Sequence, residues 1–211
     1  MLDIAQGSAE WHAIRCGKVT ASRVADVVAT VKSGGYGASR ATYMAELIAE
    51  RLTGKPSESY TNAAMQWGTA TEPEARTAYE FHANCDVQQV GFVEHPTIEN
   101  AGCSPDGLLP DGGLVEIKCP NTAAHIETLL TGKIPEKYVK QMLFQMACTE
   151  GKWCDFVSYD PRLPEEMRLF VARVYRDQGA IDILEKEVRL FLADLNAKEK
   201  ALRSQFMKEA A

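Results

Sequence analysis

The feature that most constrains the fold is a turn followed by an apolar segment that carries two charged residues. The turn is Ser104-Pro105-Asp106-Gly107, and the segment after it is Leu114-Val115-Glu116-Ile117-Lys118-Cys119. Because side chains alternate along a β-strand, Glu116 and Lys118 are expected on one face, and a hairpin would bring Asp106 beside Glu116. The pattern therefore predicts two carboxylates and an ammonium group at one place in a sheet.

This trio of side chains suits metal-assisted hydrolysis of a phosphodiester. Hard oxygen ligands hold Mg²⁺, so Asp106 and Glu116 are candidate metal ligands, with the backbone carbonyl of Ile117 as a further donor. Lys118 would position or deprotonate the attacking water. The residues alone leave a structural alternative open, in which 104–107 is an ordinary turn and Glu116 and Lys118 form an ion pair. The apolar neighbours of Glu116 favour the functional interpretation, because an unpaired carboxylate on a buried strand is costly.

The spacing of apolar residues and the end signals of helices predict the order of elements. We expect helices at 20–30, 39–54, from 71 onward, 121–131 and 135–150, an antiparallel meander of three strands within 87–119, strands at 153–159 and 169–175, and a C-terminal amphipathic helix at about 178–208. This order predicts an α+β fold with a mixed central sheet flanked by helices. Since we find neither a repeat nor a linker, residues 1–211 are predicted to form one domain.

One predicted helix start involves a carboxylate of interest. Thr71 and Glu74 form a capping-box pattern with Pro73 between them. Glu72 would then lie in the first turn, where the helix dipole stabilises a negative charge. On this basis alone, Glu72 is as well explained by the dipole as by a functional role.

Composition narrows the class of protein. The chain has 211 residues, of which 45% are hydrophobic and 25% charged, enough for one sizeable core. Six scattered cysteines and four histidines predict reduced thiols and no zinc site. The sequence shows neither a secretory signal nor a membrane span, so we expect a cytoplasmic protein. A net charge of −6 argues against binding nucleic acid by bulk charge, so any DNA contact requires a localised basic groove.

An ordered set of motifs resembles the phage lambda exonuclease family, the YqaJ-like viral recombinase nucleases of the PD-(D/E)xK superfamily. The matching residues extend over about 6–175 and comprise Gln6-Gly7, Trp11-His12, Arg15, Gly17, Thr20-Ala21-Ser22, Trp67-Gly68, Glu72, Ala75-Arg76, Cys103-Ser104-Pro105-Asp106-Gly107, Glu116, Lys118-Cys119-Pro120, Tyr138, Gln141 and Tyr159-Asp160-Pro161-Arg162. The resemblance implies a restriction-endonuclease-like core.

The resemblance also implies catalytic roles for five residues. Asp106 and Glu116 would be metal ligands, and Lys118 would act on the nucleophilic water. Glu72 would be a further carboxylate for a second metal ion, and Gln141 a helper. From the residues alone, Gln141 equally suits a buried amide whose hydrogen bonds are satisfied.

A second group of residues is implied to bind DNA. Arg15, Ser22 and Ser104 match the positions that bind the 5′-phosphate of the digested strand, and a guanidinium with two hydroxyls suits that task. Lys32 stands where the family places a basic residue near the DNA. Met65 stands where an apolar side chain helps to split the terminal base pair.

Some residues receive a structural interpretation. We assign no chemistry to Trp11 and His12, which are more typical of a core aromatic residue and a hydrogen-bonded histidine. Gln145, one helical turn after Gln141, suits a buried amide. Thiol catalysis by Cys119 with His125 is not expected, because no oxyanion motif accompanies the pair.

The activity implied by the resemblance is specific. It is a processive 5′-to-3′ exonuclease on double-stranded DNA that uses Mg²⁺, with Mn²⁺ as a substitute and two ions per site, and leaves 3′ overhangs for single-strand annealing. The implied partners are two further copies in a ring-shaped homotrimer and a phage annealing recombinase, with no membrane, in a bacterial host that carries the phage or prophage.

Two other functions remain open. One is an endonuclease on the same fold. The other is a non-catalytic clamp on DNA ends, against which the presence of Asp106, Glu116 and Lys118 together argues.

Overall fold

The computed structural model describes residues 4–57 and 63–207. The helices are α1 (Ala9–Arg15), α2 (Val24–Val27), α3 (Ala38–Thr53), α4 (Ala63–Ala83), α5 (Thr122–Thr131), α6 (Glu136–Thr149) and α7 (Gln178–Phe206). The strands are β1 (Val19–Thr20), β2 (Val93–Glu94), β3 (Ala101–Cys103), β4 (Gly107–Leu108), β5 (Gly113–Lys118), β6 (Trp153–Tyr159) and β7 (Leu169–Tyr175). Among the described residues, no helix has the length and apolarity needed to cross a membrane.

The strands form two mixed sheets. The smaller sheet has the order β1-β3-β2, with β1 parallel to β3 and β2 antiparallel to it. The larger sheet has the order β4-β5-β6-β7, in which only β5 and β6 are parallel. A parallel pair needs a long crossover, which α5 and α6 supply. The predicted α+β fold with mixed sheets and flanking helices is confirmed.

Strand β5 is covered on both faces. Val115 and Ile117 pack in one apolar cluster with Ala75 and Tyr79 of α4, and Leu114 packs in another with α6 and α7. Such coverage explains the nearly continuous apolar run of this strand. Glu116 is the exception, a carboxylate with no exposed surface.

Helix α6 is the most deeply buried helix near that carboxylate. Its residues from Gln141 to Cys148 are all buried, because it contacts α2, α7 and strands of both sheets. Side chains on α6 are therefore held in fixed positions relative to β5.

Several predicted elements are confirmed. Strands β6 and β7 have the predicted bounds, and α5, α6 and α7 form within the predicted segments. Helix α3 begins at Ala38, one residue before its predicted segment. Gly54 and Gly132 end α3 and α5 in the left-handed conformation, as the end signals predict.

The predicted helix at 20–30 is wrong at both ends, since only Val24–Val27 forms an α-helix there. Thr20 belongs to β1, because it pairs with Gly102 of β3, and a 3₁₀ turn at Ala21–Arg23 precedes the short α2. Pairing with a strand about eighty residues away in sequence overrides the local helix signal.

The capping box at Thr71 and Glu74 is also wrong. Helix α4 begins at Ala63 and contains Pro73 in its interior. A proline interrupts helical hydrogen bonding, but burial of Thr71, Ala75 and Tyr79 holds the helix together around it. Glu72 is therefore not in a first turn, and the helix-dipole explanation for it is removed.

The three-stranded meander within 87–119 is wrong as well. Four short strands form there, and they are divided between the two sheets. The segment from Ser104 to Asp106 passes from the smaller sheet to the larger one. The predicted turn, Ser104 to Gly107, therefore connects the two sheets.

Candidate active site

A cavity of about 170 Å³ is lined by residues of both sheets, α1 and α6. Its described lining is Gln6, Trp11, Arg15, Thr20, Ala21, Ser22, Ser104, Asp106, Glu116, Lys118, Gln141 and Gln145. We call Asp106, Glu116, Lys118, Gln141 and Gln145 the carboxylate cluster, and Trp11, Arg15, Ser22 and Ser104 the arginine cluster. The two clusters differ in charge and in how their polar atoms are paired.

Glu116 lies at the centre of the carboxylate cluster. Its Oε1 contacts the ammonium of Lys118 and accepts a hydrogen bond from Nε2 of Gln141 at 2.7 Å. Its Oε2 accepts a hydrogen bond from Nε2 of Gln145 at 2.5 Å. The predicted placement of Glu116 and Lys118 on one face is thus observed, and donors fix both oxygens of the buried carboxylate.

Asp106 is brought beside Glu116 by the pairing of Gly107 in β4 with Val115 in β5. Its Oδ2 accepts a hydrogen bond from the backbone N–H of Ile117 at 2.6 Å. Burial and the nearby charge of Glu116 raise the pKa of Asp106 well above its ordinary value, although the ammonium of Lys118 opposes the shift. The two carboxylates therefore repel each other when both are ionised.

Lys118 is cationic at neutral pH. Burial alone would lower its pKa, but the carboxylates of Glu116 and Asp106 outweigh burial, so the pKa is raised. An ammonium of this kind attracts and orients anions, and it is a poor proton acceptor. Of the two predicted roles, positioning of water suits this group better than deprotonation.

The donor set of the carboxylate cluster fits Mg²⁺. This ion binds through one or two carboxylates and keeps several water molecules for substrate phosphates to replace. Asp106 and Glu116 supply two such carboxylates, and a divalent cation would relieve the repulsion between them. Within 4–57 and 63–207, no group of three or more His, Cys, Asp or Glu side chains could hold a metal ion. Two carboxylates, with water in the remaining positions, match the coordination that Mg²⁺ prefers.

The arginine cluster is built around Ser104. Nε1 of Trp11 and Nη1 of Arg15 each donate to its Oγ at 3.0 Å, and the guanidinium carbon of Arg15 lies 3.8 Å from the centre of the indole ring. Because both contacts use the oxygen as acceptor, the hydroxyl hydrogen of Ser104 can donate to an anion. Ser22 adds a hydroxyl that lies 3.2 Å from that of Thr20.

Arg15 is a partly buried cation on which the charge of Glu50 also acts. Burial lowers its pKa, but a guanidinium stays protonated at neutral pH. In the part of the chain that the structure describes, no carboxylate forms an ion pair with it. A partly buried cation flanked by two hydroxyls is a suitable site for a phosphate.

The structure does not bring every predicted residue into the cavity lining. Glu72 is about one third exposed, and its Oε1 accepts a hydrogen bond from Nη2 of Arg76 at 2.7 Å. Its charge nevertheless contributes to raising the pKa of Asp106. Lys32 is exposed in the loop between α2 and α3, and Met65 is exposed on the first turn of α4.

The sequence interpretation gave no site role to five of the lining residues, and three of these five make hydrogen bonds that shape the site. Trp11 belongs to the arginine cluster, and its spacing of four from Arg15 on α1 was the available signal. Gln145 binds Glu116 directly. Gln6 donates to the carbonyls of Val90 and Pro105 at 2.9 and 2.8 Å, which ties down the segment before Asp106.

The Cys119 and His125 pair does not form a nucleophilic site. Burial, together with the charges of Glu72 and Asp106, raises the pKa of Cys119 to about 12, so its thiol is protonated at neutral pH. The ring nitrogens of His125 bond to Oγ of Ser158 and the carbonyl of Met167 instead.

Comparison with known proteins identifies the family. A family model, the YqaJ-like viral recombinase domain, matches residues 10–152. No curated protein matches the chain. Two crystal structures of LHK-Exo, an alkaline exonuclease from Laribacter hongkongensis, are similar to it, and one of them is in complex with dAMP.

These structures are similar over almost the whole chain. Both are 54% identical to it and cover 94% of this chain and 97% of theirs, with TM-scores of 0.88 and 0.87. A phage-related exonuclease from Haemophilus somnus 129PT is 15% identical over 89% of this chain and 96% of its own, with a TM-score of 0.67, which shows the fold alone. The predicted restriction-endonuclease-like fold is thereby confirmed. The chain belongs to the YqaJ-like viral recombinase family, the family of phage lambda exonuclease.

Proposed function

We propose that this protein is a Mg²⁺-dependent exonuclease that digests one strand of double-stranded DNA from its 5′ end. The observation that carries the proposal is that a carboxylate cluster suited to Mg²⁺ and an arginine cluster suited to a phosphate line one cavity. Ser104 and Asp106 are two residues apart, so their Cα atoms are separated by at most about 7 Å of extended chain. A terminal phosphate on the arginine cluster would therefore place the next phosphodiester near the carboxylates, and cleavage would release a 5′-mononucleotide.

Four residues of the carboxylate cluster and two residues beside it have tasks in this proposal. Asp106, Glu116 and the carbonyl of Ile117 would hold Mg²⁺ or Mn²⁺, and Glu72 would serve a second ion. The ions would supply polarisation of the phosphoryl group and a lowered pKa of water. The ammonium of Lys118 orients the attacking water and stabilises negative charge that develops on the phosphate. Gln141 holds the buried carboxylate of Glu116 in place.

The arginine cluster would select the substrate end. Arg15, Ser22 and Ser104 bind a 5′-phosphate through charge-assisted and hydroxyl hydrogen bonds, and Trp11 orients Ser104 and Arg15. Support for a nucleotide ligand comes from LHK-Exo, whose complex contains dAMP, a mononucleotide. The 5′-to-3′ polarity and the preference for double strands rest on the family resemblance.

We expect the protein to assemble as the ring-shaped homotrimer that the family resemblance implies. A ring of three copies around DNA would explain processive digestion, and it would concentrate basic residues such as Lys32 toward its channel despite a net charge of −6. Met65 would help to separate the terminal base pair. A phage annealing recombinase would bind the 3′ overhang in the bacterial cytoplasm.

A linear duplex with a 5′-phosphate at one end only, and with separate 5′ and 3′ labels, tests the proposal. With Mg²⁺ we expect early release of the 5′ label as a mononucleotide from the phosphorylated end, with no activity in Glu116→Ala. Covalently closed circular DNA should stay intact. Internal fragments or cut circles would indicate an endonuclease, binding without cleavage would indicate a clamp, and early release of the 3′ label would overturn the polarity.

A further inference from the structure

Gln145 holds one oxygen of Glu116 without help from any other described residue. Oε1 of Glu116 has two donors, the ammonium of Lys118 and the amide of Gln141. Oε2 has a single donor among the described residues, Nε2 of Gln145 at 2.5 Å. The orientation of the buried carboxylate about its Cγ–Cδ bond therefore depends on Gln145 on one side.

The orientation of the Gln145 amide is set by this contact. A flipped amide would place its oxygen against the Glu116 carboxylate, where two acceptors repel, so Nε2 faces Glu116. The amide oxygen of Gln145 is then left buried, and within the described chain it has no hydrogen-bond partner. A buried acceptor without a partner is unfavourable, and in native proteins it commonly indicates a water or ligand group that occupies the site.

Gln145 is a polar residue in apolar surroundings, which indicates that its amide has a role in the cavity. It has no exposed surface, and its neighbours along α6 include Phe144 and Met146, which are fully buried apolar side chains. An apolar residue would suit the packing of α6 at this position. Gln145 also lines the cavity together with Asp106 and Glu116, so its polar group is explained by the cavity and not by the core.

We propose that Gln145 is a positioning residue that orients Glu116 for binding of the divalent metal ion, and that its amide oxygen accepts a hydrogen bond from a water bound in the cavity with that ion. The inference rests on the proposed metal-dependent function. It adds to that function a residue that acts through Glu116 and touches neither DNA nor the scissile phosphate. Partners that hold a metal ligand in orientation change metal affinity by about 10- to 100-fold when they are removed.

The variant Gln145→Met tests the inference, because it keeps the length of the side chain and removes both the donor and the acceptor. The matched control is Met146→Leu, a volume-conserving change at the next buried position of α6. Binding of Mg²⁺ and Mn²⁺ to the DNA-free protein is measured by titration calorimetry. We expect about 10- to 100-fold weaker binding for Gln145→Met and a change of less than about twofold for Met146→Leu.

A kinetic measurement separates positioning from general structural damage. For Gln145→Met, raising the Mg²⁺ concentration should restore most of kcat, while the KM for DNA stays near the wild-type value. Melting without metal shows whether the variant folds. If Gln145→Met does not fold, Gln145→Asn, which keeps the amide but is one methylene shorter, should show the same weaker binding of Mg²⁺.

The outcomes distinguish the inference from the proposed function. Wild-type Mg²⁺ affinity in both folded Gln145 variants, or a loss of kcat that excess Mg²⁺ leaves unchanged, would overturn the positioning role. If the wild-type protein binds neither ion, the metal-dependent function and the inference both fail. An unexpected polarity on DNA would contradict the proposed function and leave the metal titration as a valid test of Gln145.

Discussion

The two clusters that line the cavity differ in how their charged groups are paired. In the carboxylate cluster, the charge of Glu116 is met by protein groups, namely Lys118, Gln141 and Gln145. In the arginine cluster, no described carboxylate forms an ion pair with Arg15, and the hydroxyl of Ser104 keeps a hydrogen to donate. A carboxylate whose oxygens accept several hydrogen bonds is held in one orientation for catalysis. A guanidinium that forms no ion pair with a described carboxylate is able to bind an anion. The comparison implies that changes in the first cluster reduce kcat and changes in the second reduce recognition of the DNA end.

The largest effect is expected from Asp106→Asn. Loss of a charged metal ligand removes several kcal/mol of transition-state stabilisation, so kcat should fall about 1000-fold. Affinity for 5′-phosphorylated duplex, measured by fluorescence anisotropy, should change little. The matched control is Asp111→Asn, an exposed aspartate in the turn between β4 and β5, which should keep wild-type kcat. Equal loss of kcat in both variants would argue against a specific role for Asp106.

Arg15→Ala should have the next largest effect, and on a different quantity. A hydrogen bond to a charged group contributes about 1.5–3 kcal/mol, so the preference for a 5′-phosphate over a 5′-hydroxyl end should fall about 10- to 100-fold. Digestion from a 5′-hydroxyl end should be nearly unchanged. As a control, Arg189→Ala removes an exposed arginine of α7 and should leave the preference intact. A uniform loss on both kinds of end would contradict the assigned division of roles.

Trp11→Phe should give a smaller effect in the same direction. The ring is retained, but the hydrogen bond from Nε1 to Oγ of Ser104 is lost. A net hydrogen bond contributes about 0.5–1.5 kcal/mol, so the preference for 5′-phosphate should fall about 2- to 10-fold. The same competition assay measures this change, and an effect as large as that of Arg15→Ala would mean that the indole, and not the guanidinium, carries the recognition.

The pH dependence of stability should show the smallest difference. The folded protein raises the pKa of Asp106 above its ordinary value of 3.8. Because the folded state binds the proton of Asp106 more tightly than the unfolded state, protonated Asp106 adds to the free energy of unfolding at low pH. This contribution is lost as the pH rises through the raised pKa. In EDTA, the melting temperature of the wild type should therefore fall relative to Asp106→Asn as the pH increases from about 4. Mg²⁺ should reverse this trend, and a pH-independent difference between the two proteins would contradict it.

The two carboxylates and the lysine of the carboxylate cluster were predictable from the sequence because the signal for them is local. The alternation of Glu116 and Lys118 on one strand, and the turn that carries Asp106, follow from neighbouring residues. Strands β6 and β7 were predicted at their bounds for the same reason. The family resemblance supplied Gln141, which periodicity alone left as a buried amide.

The arginine cluster and the division into two sheets depend on contacts between distant residues. Pairing of β1 with β3 moved Thr20 from a predicted helix into a strand. Contact of Trp11 with Ser104, ninety-three positions away, gave a polar role to a residue that resembled a core aromatic. Helix α4 contains Pro73 in its interior because residues around it pack against β5, and its earlier start places Glu72 away from the first turn. Local sequence patterns carry no information about these contacts between residues that are distant in sequence.

The most direct test of the account is a crystal structure of the protein with a 5′-phosphorylated duplex end and Ca²⁺, used in place of Mg²⁺ to slow cleavage. We expect a metal ion coordinated by Asp106 and Glu116, with the terminal phosphate within hydrogen-bond distance of Arg15 and Ser104. A terminal phosphate bound away from Arg15 and Ser104, or a metal ion held without Asp106 and Glu116, would contradict the central claim that the two clusters process a DNA end together.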